Sequence, residues 1–136
     1  MAAGYSGTPL ATKLGIKPSS TLLVVNDPGH FDEIVAPLPP GVARRKRASR
    51  GGVNVVVLFV RSRGELDRRI DVMTKAVFPD GGVWVAWPKR ASGIPTDMTE
   101  DVIREVVLPM GLVDNKVCAI DETWSGLRVV WRRERR

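Results

Sequence analysis

The order in which apolar strands alternate with amphipathic helices predicts an α/β domain on a mostly parallel sheet of five to six strands, ending in an antiparallel hairpin. Three observations carry this. From residue 53 the chain runs as an apolar strand over 53–60, an amphipathic helix over 65–77, an apolar strand over 82–87 and a capped helix over 97–110. Strand-helix-strand alternation of this kind implies a parallel sheet covered on both faces. Two further strands, 113–120 and 127–131, follow each other with only a turn through 121–126 between them, so they pair antiparallel.

Thr8, Pro9, Lys13 and Gly15 supply a cap, a first helical residue, a basic last turn and a left-handed stop for a short helix. Thr21 to Val25 reads as a buried strand, Asn26-Asp27-Pro28-Gly29 as a turn, and a short helix runs from about Phe31 to Val35 until Pro37, Pro39 and Pro40 end it. Residues 42–44 suit a short second strand, and Gly51-Gly52 lead into the strand at Val53. In the next helix Leu66, Ile70, Met73 and Val77 form one apolar face, with Glu65 and Arg69 as an exposed i, i+4 pair. Asp97-Met98-Thr99-Glu100 has the spacing of a capping box, Val102, Ile103, Val106, Val107 and Met110 form a core face, and Gly111 marks the end.

At 136 residues the chain is expected to form a single domain over 1–136, with 1–18 as an N-terminal helical extension and 132–136 as a basic tail. A domain of this size buries roughly two-thirds of the surface its unfolded chain exposes, enough for a real core. Hydrophobic residues make up 43% and charged residues 26%, and no apolar run approaches the ~20 residues of a membrane span. The first twenty residues hold no apolar stretch of a secretory signal, and a cytoplasmic location is expected. One cysteine, Cys118, cannot form an internal disulfide, and with one histidine, His30, it excludes a zinc site of several such ligands. Neither a metal nor a cofactor is expected.

The net charge is +6, and the basic residues gather in two places. Arg44, Arg45, Lys46, Arg47 and Arg50 form the first cluster, and Arg128, Arg132, Arg133, Arg135 and Arg136 lie on or after the last strand. Such clusters suit a surface for nucleic acid or another anionic ligand, or else a solvated loop and a frayed tail. No series of stacking aromatics is interleaved with them.

Two stretches, Tyr5-Ser6-Gly7-Thr8-Pro9-Leu10 with Leu14-Gly15-Ile16-Lys17-Pro18, and Trp87-Pro88-Lys89-Arg90-Ala91-Ser92-Gly93 with Thr99-Glu100-Asp101, carry a resemblance together with Asp121-Glu122-Thr123-Trp124-Ser125-Gly126-Leu127. They resemble a bacterial family known only as a domain of unknown function, which implies a small cytoplasmic protein and no particular activity. By topology the chain also resembles a Rossmann-like fold, the carboxyl-terminal part of the S-adenosylmethionine-dependent methyltransferases, which ends in a helix and an antiparallel hairpin. Fold analogy says little about function, so the site is argued from its own residues.

A nucleotide-cofactor site needs glycines after the first strand and an acidic residue about twenty positions further on. Here the turn holds only Gly29, Pro28 lacks an N–H, and the counted position falls on Arg47. The expectation is a binding or regulatory module without that fingerprint. The alternatives are a divergent methyltransferase working at Asn26, Asp27 and Lys89, and a nucleic-acid-associated protein.

Ligands of open α/β sheets bind beyond the carboxyl ends of the strands. The polar residues expected there are Asn26 and Asp27, Arg61 and Ser62, and Lys89, Arg90, Ser92 and Gly93. Such a rim suits a carboxylate or phosphate on a small anionic ligand; alternatively Asp27 is a turn residue paired with Lys89 or Arg61. Asp97 reads as a helix cap, Cys118 as a core residue, and His30 as a loop residue that keeps a general-base role open. Trp84 and Trp87 are expected to face separate layers. Trp124 is either an exposed anchor for an unknown protein partner or a lid over the sheet edge.

Overall fold

The computed structural model describes residues 7–136; Tyr5 and Ser6 of the first motif, and the start of the expected N-terminal extension, lie outside them. Six strands form one sheet: β1 (Thr21–Val25), β2 (Ala43–Arg45), β3 (Val55–Phe59), β4 (Gly82–Pro88), β5 (Leu112–Ala119) and β6 (Trp124–Trp131). Their order is β2-β1-β3-β4-β6-β5. The first four are parallel, β6 lies antiparallel between β4 and β5, and the strand order reverses between β1 and β3. The sequence expectation of a mostly parallel sheet with an antiparallel end therefore describes the molecule.

Helices α1 (Leu10–Lys13) and α2 (Phe31–Val35) pack on one face, and α3 (Arg63–Val77) and α4 (Glu100–Val107) on the other. β3 and β4 are buried along their whole lengths because both of their faces are covered. On the α3 and α4 side, Val56, Leu58, Val83, Val85 and Trp87 meet Leu66, Ile70, Met73, Ile103 and Val107. On the other side, Val57, Phe59, Trp84 and Ala86 meet Leu14, Phe31 and Val35. Trp84 and Trp87 thus fall in separate layers, as their odd spacing on a strand requires. The Trp84 indole N–H donates to the Leu14 carbonyl at 2.9 Å and fastens the segment after α1 to the sheet.

Several boundaries move for identifiable reasons. α3 begins at Arg63 because Ser62 caps it, its hydroxyl accepting from the Glu65 N–H at 3.1 Å. Glu65 then reaches back to the Arg61 N–H at 2.8 Å, so the expected exposed pair with Arg69 does not form. α4 starts at Glu100, with Thr99 as the cap accepting from Val102 N–H; Asp97 accepts from the Arg63 N–H instead. β6 starts at Trp124 rather than three residues later, because the Asp121 carboxylate takes the N–H groups of Thr123 and Trp124 and tightens the turn. Among the described residues no helix is long and apolar enough to cross a membrane.

Candidate functional site

The carboxyl ends of β1, β3 and β4 and the turn between β5 and β6 meet at one rim, and Asp121 is its hub. Its Oδ2 stands 2.5 Å from His30 Nε2, while Oδ1 accepts from the Thr123 and Trp124 N–H groups. Its main-chain oxygen accepts from Lys89 Nζ at 2.7 Å, and the Lys89 N–H donates to the Thr123 carbonyl. One residue therefore joins the start of α2, the segment after β4 and the hairpin turn. The Asp121 side chain is 15% exposed and that of His30 37%. Burial, the largest influence on Asp121, works to raise its pKa. The hydrogen bond with His30 and those from Trp124 and Thr123 outweigh it and hold the carboxyl below its ordinary value.

This pair escaped the sequence reading because its members are 91 positions apart. The available signal was the polar turn at Asp121 to Thr123, longer in polar groups than a hairpin requires. Chemically, a histidine oriented by a carboxylate, with its ring partly open to solvent, is the arrangement of a general base or a hydrogen-bonding anchor for a ligand.

The residues expected at the rim are distributed unevenly. Asn26, in the left-handed region at φ 59°, donates from its side-chain amide to the Phe59 carbonyl across the β1/β3 crevice at 3.2 Å. Asp27 is a turn residue: its Oδ1 accepts from the Gly29 N–H at 2.8 Å and the Phe31 N–H at 3.3 Å. It pairs with neither Lys89 nor Arg61. Ser62 is committed to capping α3. The Ser92 hydroxyl donates to the Lys89 carbonyl and accepts from the Ile94 N–H. Arg90 and Gly93 belong to a 3-10 turn and its left-handed end, which open a larger cleft of about 860 Å³ running from Trp87 to Arg104. The Arg61 main chain is held by Glu65 and Thr96. Of the expected set, Lys89 alone joins the His30 and Asp121 cluster by a side-chain bond.

An adenosyl group needs free N–H donors in the turn after β1 and an acid at the end of β2. The Gly29 and Phe31 N–H groups are already given to Asp27, Pro28 has none, and β2 ends at Arg45. These residues do not fit S-adenosylmethionine seated in the manner of that fold.

Arg44 pairs with Asp32 at 2.8 Å and Arg45 donates to Ser49, whereas Lys46, Arg47 and Arg50 are exposed, Arg50 beside Phe78 and Trp131. The second cluster is not all frayed tail: Arg128 lies half-buried on β6, and Arg136 donates to the Trp131 carbonyl. Of the two readings for Trp124 the exposed anchor does not hold, since the residue is 3% exposed and stacks edge-to-face on Phe59 at 5.1 Å, and β6 lies inside the sheet rather than at its edge. The tight turn brings Trp124 onto the strand's inward face. Cys118 is half-buried on the edge strand rather than in the core, and burial raises its thiol pKa while Lys13 acts the other way.

No family model matches the chain, and no curated protein matches it in sequence, so the motif resemblance to a bacterial family finds no support there. Solved structures do match. A SAM-dependent methyltransferase from Aquifex aeolicus aligns with a TM-score of 0.63 at 10% identity, over 88% of this chain and 86% of its own. The ribosomal protein L11 methylase from Lactobacillus delbrueckii subsp. bulgaricus aligns at 0.61 and 12%, over 91% and 75%. The fibrillarin pre-rRNA processing protein of Methanococcus jannaschii aligns at 0.59 and 12%, over 91% and 69%. At these identities the likeness is one of fold: the chain has the mixed six-stranded Rossmann-like architecture of the methyltransferases.

Proposed function

We propose that the chain is a methyltransferase-fold domain that binds a ligand at its carboxyl-end rim, through His30 and Lys89, without seating S-adenosylmethionine in the ordinary way. The observation that carries this is the closed turn after β1, where Asp27 consumes the N–H groups that a cofactor would take. His30 and Lys89 are oriented by Asp121 from two sides, and each keeps hydrogen-bonding capacity beyond those bonds. That pairing suits a small ligand carrying a carboxylate or a hydroxyl.

A second reading, a divergent methyltransferase, is favoured by the structures that share this fold, all three of those above being methyltransferases or an RNA-processing relative of that architecture. Under that reading the His30 and Asp121 pair acts as the base that takes a proton from the acceptor.

Calorimetric titration with S-adenosylmethionine and with its demethylated product separates the two. The binding module gives no heat and no thermal stabilisation. A saturable stabilisation, which at a hundredfold excess over Kd amounts to about 2.7 kcal/mol, overturns the reading without the cofactor and favours the transferase in its place.

A further inference from the structure

At the other end of the sheet, the amino ends of β1, β3 and β4 border a separate cleft of about 270 Å³. Lys13 at the end of α1, Lys17 before β1, Lys116 on β5 and Arg128 on β6 all line it. Asp80 is the one carboxylate residue among the described lining.

The placement follows from register. Arg128 lies directly opposite Trp84 on β4 and Lys116 on β5, so these three side chains share one face of the sheet. Gly82, two residues before Trp84, presents no side chain on that face. A Cβ there would stand 2.6 Å from Arg128 Nε and 2.8 Å from Cζ, so the guanidinium lies directly over the bare backbone. The Trp84 bond to the Leu14 carbonyl holds the α1 end against the same strand, which brings Lys13 and Lys17 to the cleft.

The charges are unbalanced. Among the described residues the Arg128 guanidinium has no hydrogen-bond or ion-pair partner, although the residue is half-buried. Burial, and then the like charge of Arg136, lower its pKa. Lys13, Lys17 and Lys116 also lack a carboxylate partner within ion-pair distance. A partly desolvated cation without a counter-charge is costly to hold, and a bound oxyanion relieves that cost.

We propose that this cleft is an anion site taking the phosphate or diphosphate group of a small ligand, with Arg128 as the two-pronged donor and Lys13, Lys17 and Lys116 as flanking charges. A planar guanidinium matches two phosphate oxygens at once, and lysines act on the same group as point charges. Four cations against Asp80 suit a multiply charged phosphate better than a single carboxylate. A recessed cleft over a buried Trp84, 1% exposed, offers no platform for stacking bases, which favours a small ligand over a nucleic-acid strand. The cleft shares no residue with the His30 and Asp121 rim, so the two readings stand or fall separately.

The test is calorimetry of the full chain with inorganic pyrophosphate at low ionic strength, against a sodium chloride reference of equal ionic strength. One-to-one binding is expected. Arg128→Gln is expected to weaken it about tenfold or more, and Lys13→Gln to a smaller extent, since each tenfold step corresponds to one charge-assisted contact of ordinary strength. The double variant Arg45→Gln/Arg47→Gln is expected to leave it unchanged. Without ligand, Arg128→Gln should melt no lower than the parent, because it removes a cation that lacks a partner; this shows that any lost binding is not lost folding. Absence of binding at low salt overturns the proposal. So does binding that the Arg45/Arg47 variant weakens and Arg128→Gln and Lys13→Gln leave intact. A short single-stranded oligonucleotide that displaces pyrophosphate and binds more tightly overturns the small-ligand assignment.

Discussion

His30 and Asp121, 91 positions apart in the chain, meet at 2.5 Å and tie the first helix after β1 to the last hairpin of the fold. Since Asp121 also holds two hairpin N–H groups, its removal disturbs the turn as well as the pair.

Asp121→Ala is therefore expected to destabilise the fold by about 2–4 kcal/mol, combining a charge-assisted bond with two orphaned N–H groups. His30→Ala should cost less, about 1–2 kcal/mol, because the turn bonds survive. Urea denaturation of both variants checks the order. Equal losses would show that the turn bonds contribute little.

The pH dependence has a defined sign. The folded-state pKa of Asp121 lies below its unfolded value, so its contribution is fully present above the ordinary carboxyl pKa and is lost as pH falls through the folded value. The stability gap between the parent and Asp121→Asn should hold at about pH 6 and shrink below about pH 4. Denaturation midpoints measured across that range give the answer; a gap that widens in acid contradicts the assignment.

Asn26→Ala removes the amide that bridges to the Phe59 carbonyl and forces alanine into the left-handed region. The expected loss is about 1–3 kcal/mol. Asn26→Gly should recover part of it, since glycine adopts that backbone freely while the bridge stays absent. Thermal melts of the two variants distinguish backbone strain from the lost bond.

Cys118 should react slowly with an alkylating reagent at neutral pH, because burial keeps the thiol protonated. The rate should rise on unfolding in urea to that of a free cysteine. A native rate equal to the unfolded one would mean the β5 edge opens.

Trp124→Ala empties a site packed against Phe59 and is expected to cost about 3–5 kcal/mol. An exposed partner anchor would lose almost no stability, so chemical denaturation of this variant separates a core role from a surface one.

The sheet was legible because its signals are local. Val55 to Phe59 and Gly82 to Trp87 are apolar enough to be buried on both faces, and Leu66, Ile70, Met73 and Val77 repeat with the helical period. Thr99 and Asp97 both precede the same apolar helical face at cap-like positions, and only the tertiary demand of the Arg63 N–H decides that Asp97 turns away. The burial of Trp124 is not legible in spacing, because it depends on the Asp121 carboxylate shortening the turn. The rim pair and the basic cleft are long-range products of register: nothing near Arg128 in sequence announces Lys13, and nothing near His30 announces Asp121.

The two outermost strands also determine how the molecule meets its own copies. β2 is three residues long and fully exposed, with Arg44 and Arg45 on a free edge, while β5 is interrupted by an irregularity between Asp114 and Lys116. An extended peptide approaching either side meets a short cationic stretch or a broken ladder, and both discourage strand addition. The sheet is thereby defended against growing, chain upon chain, into aggregates.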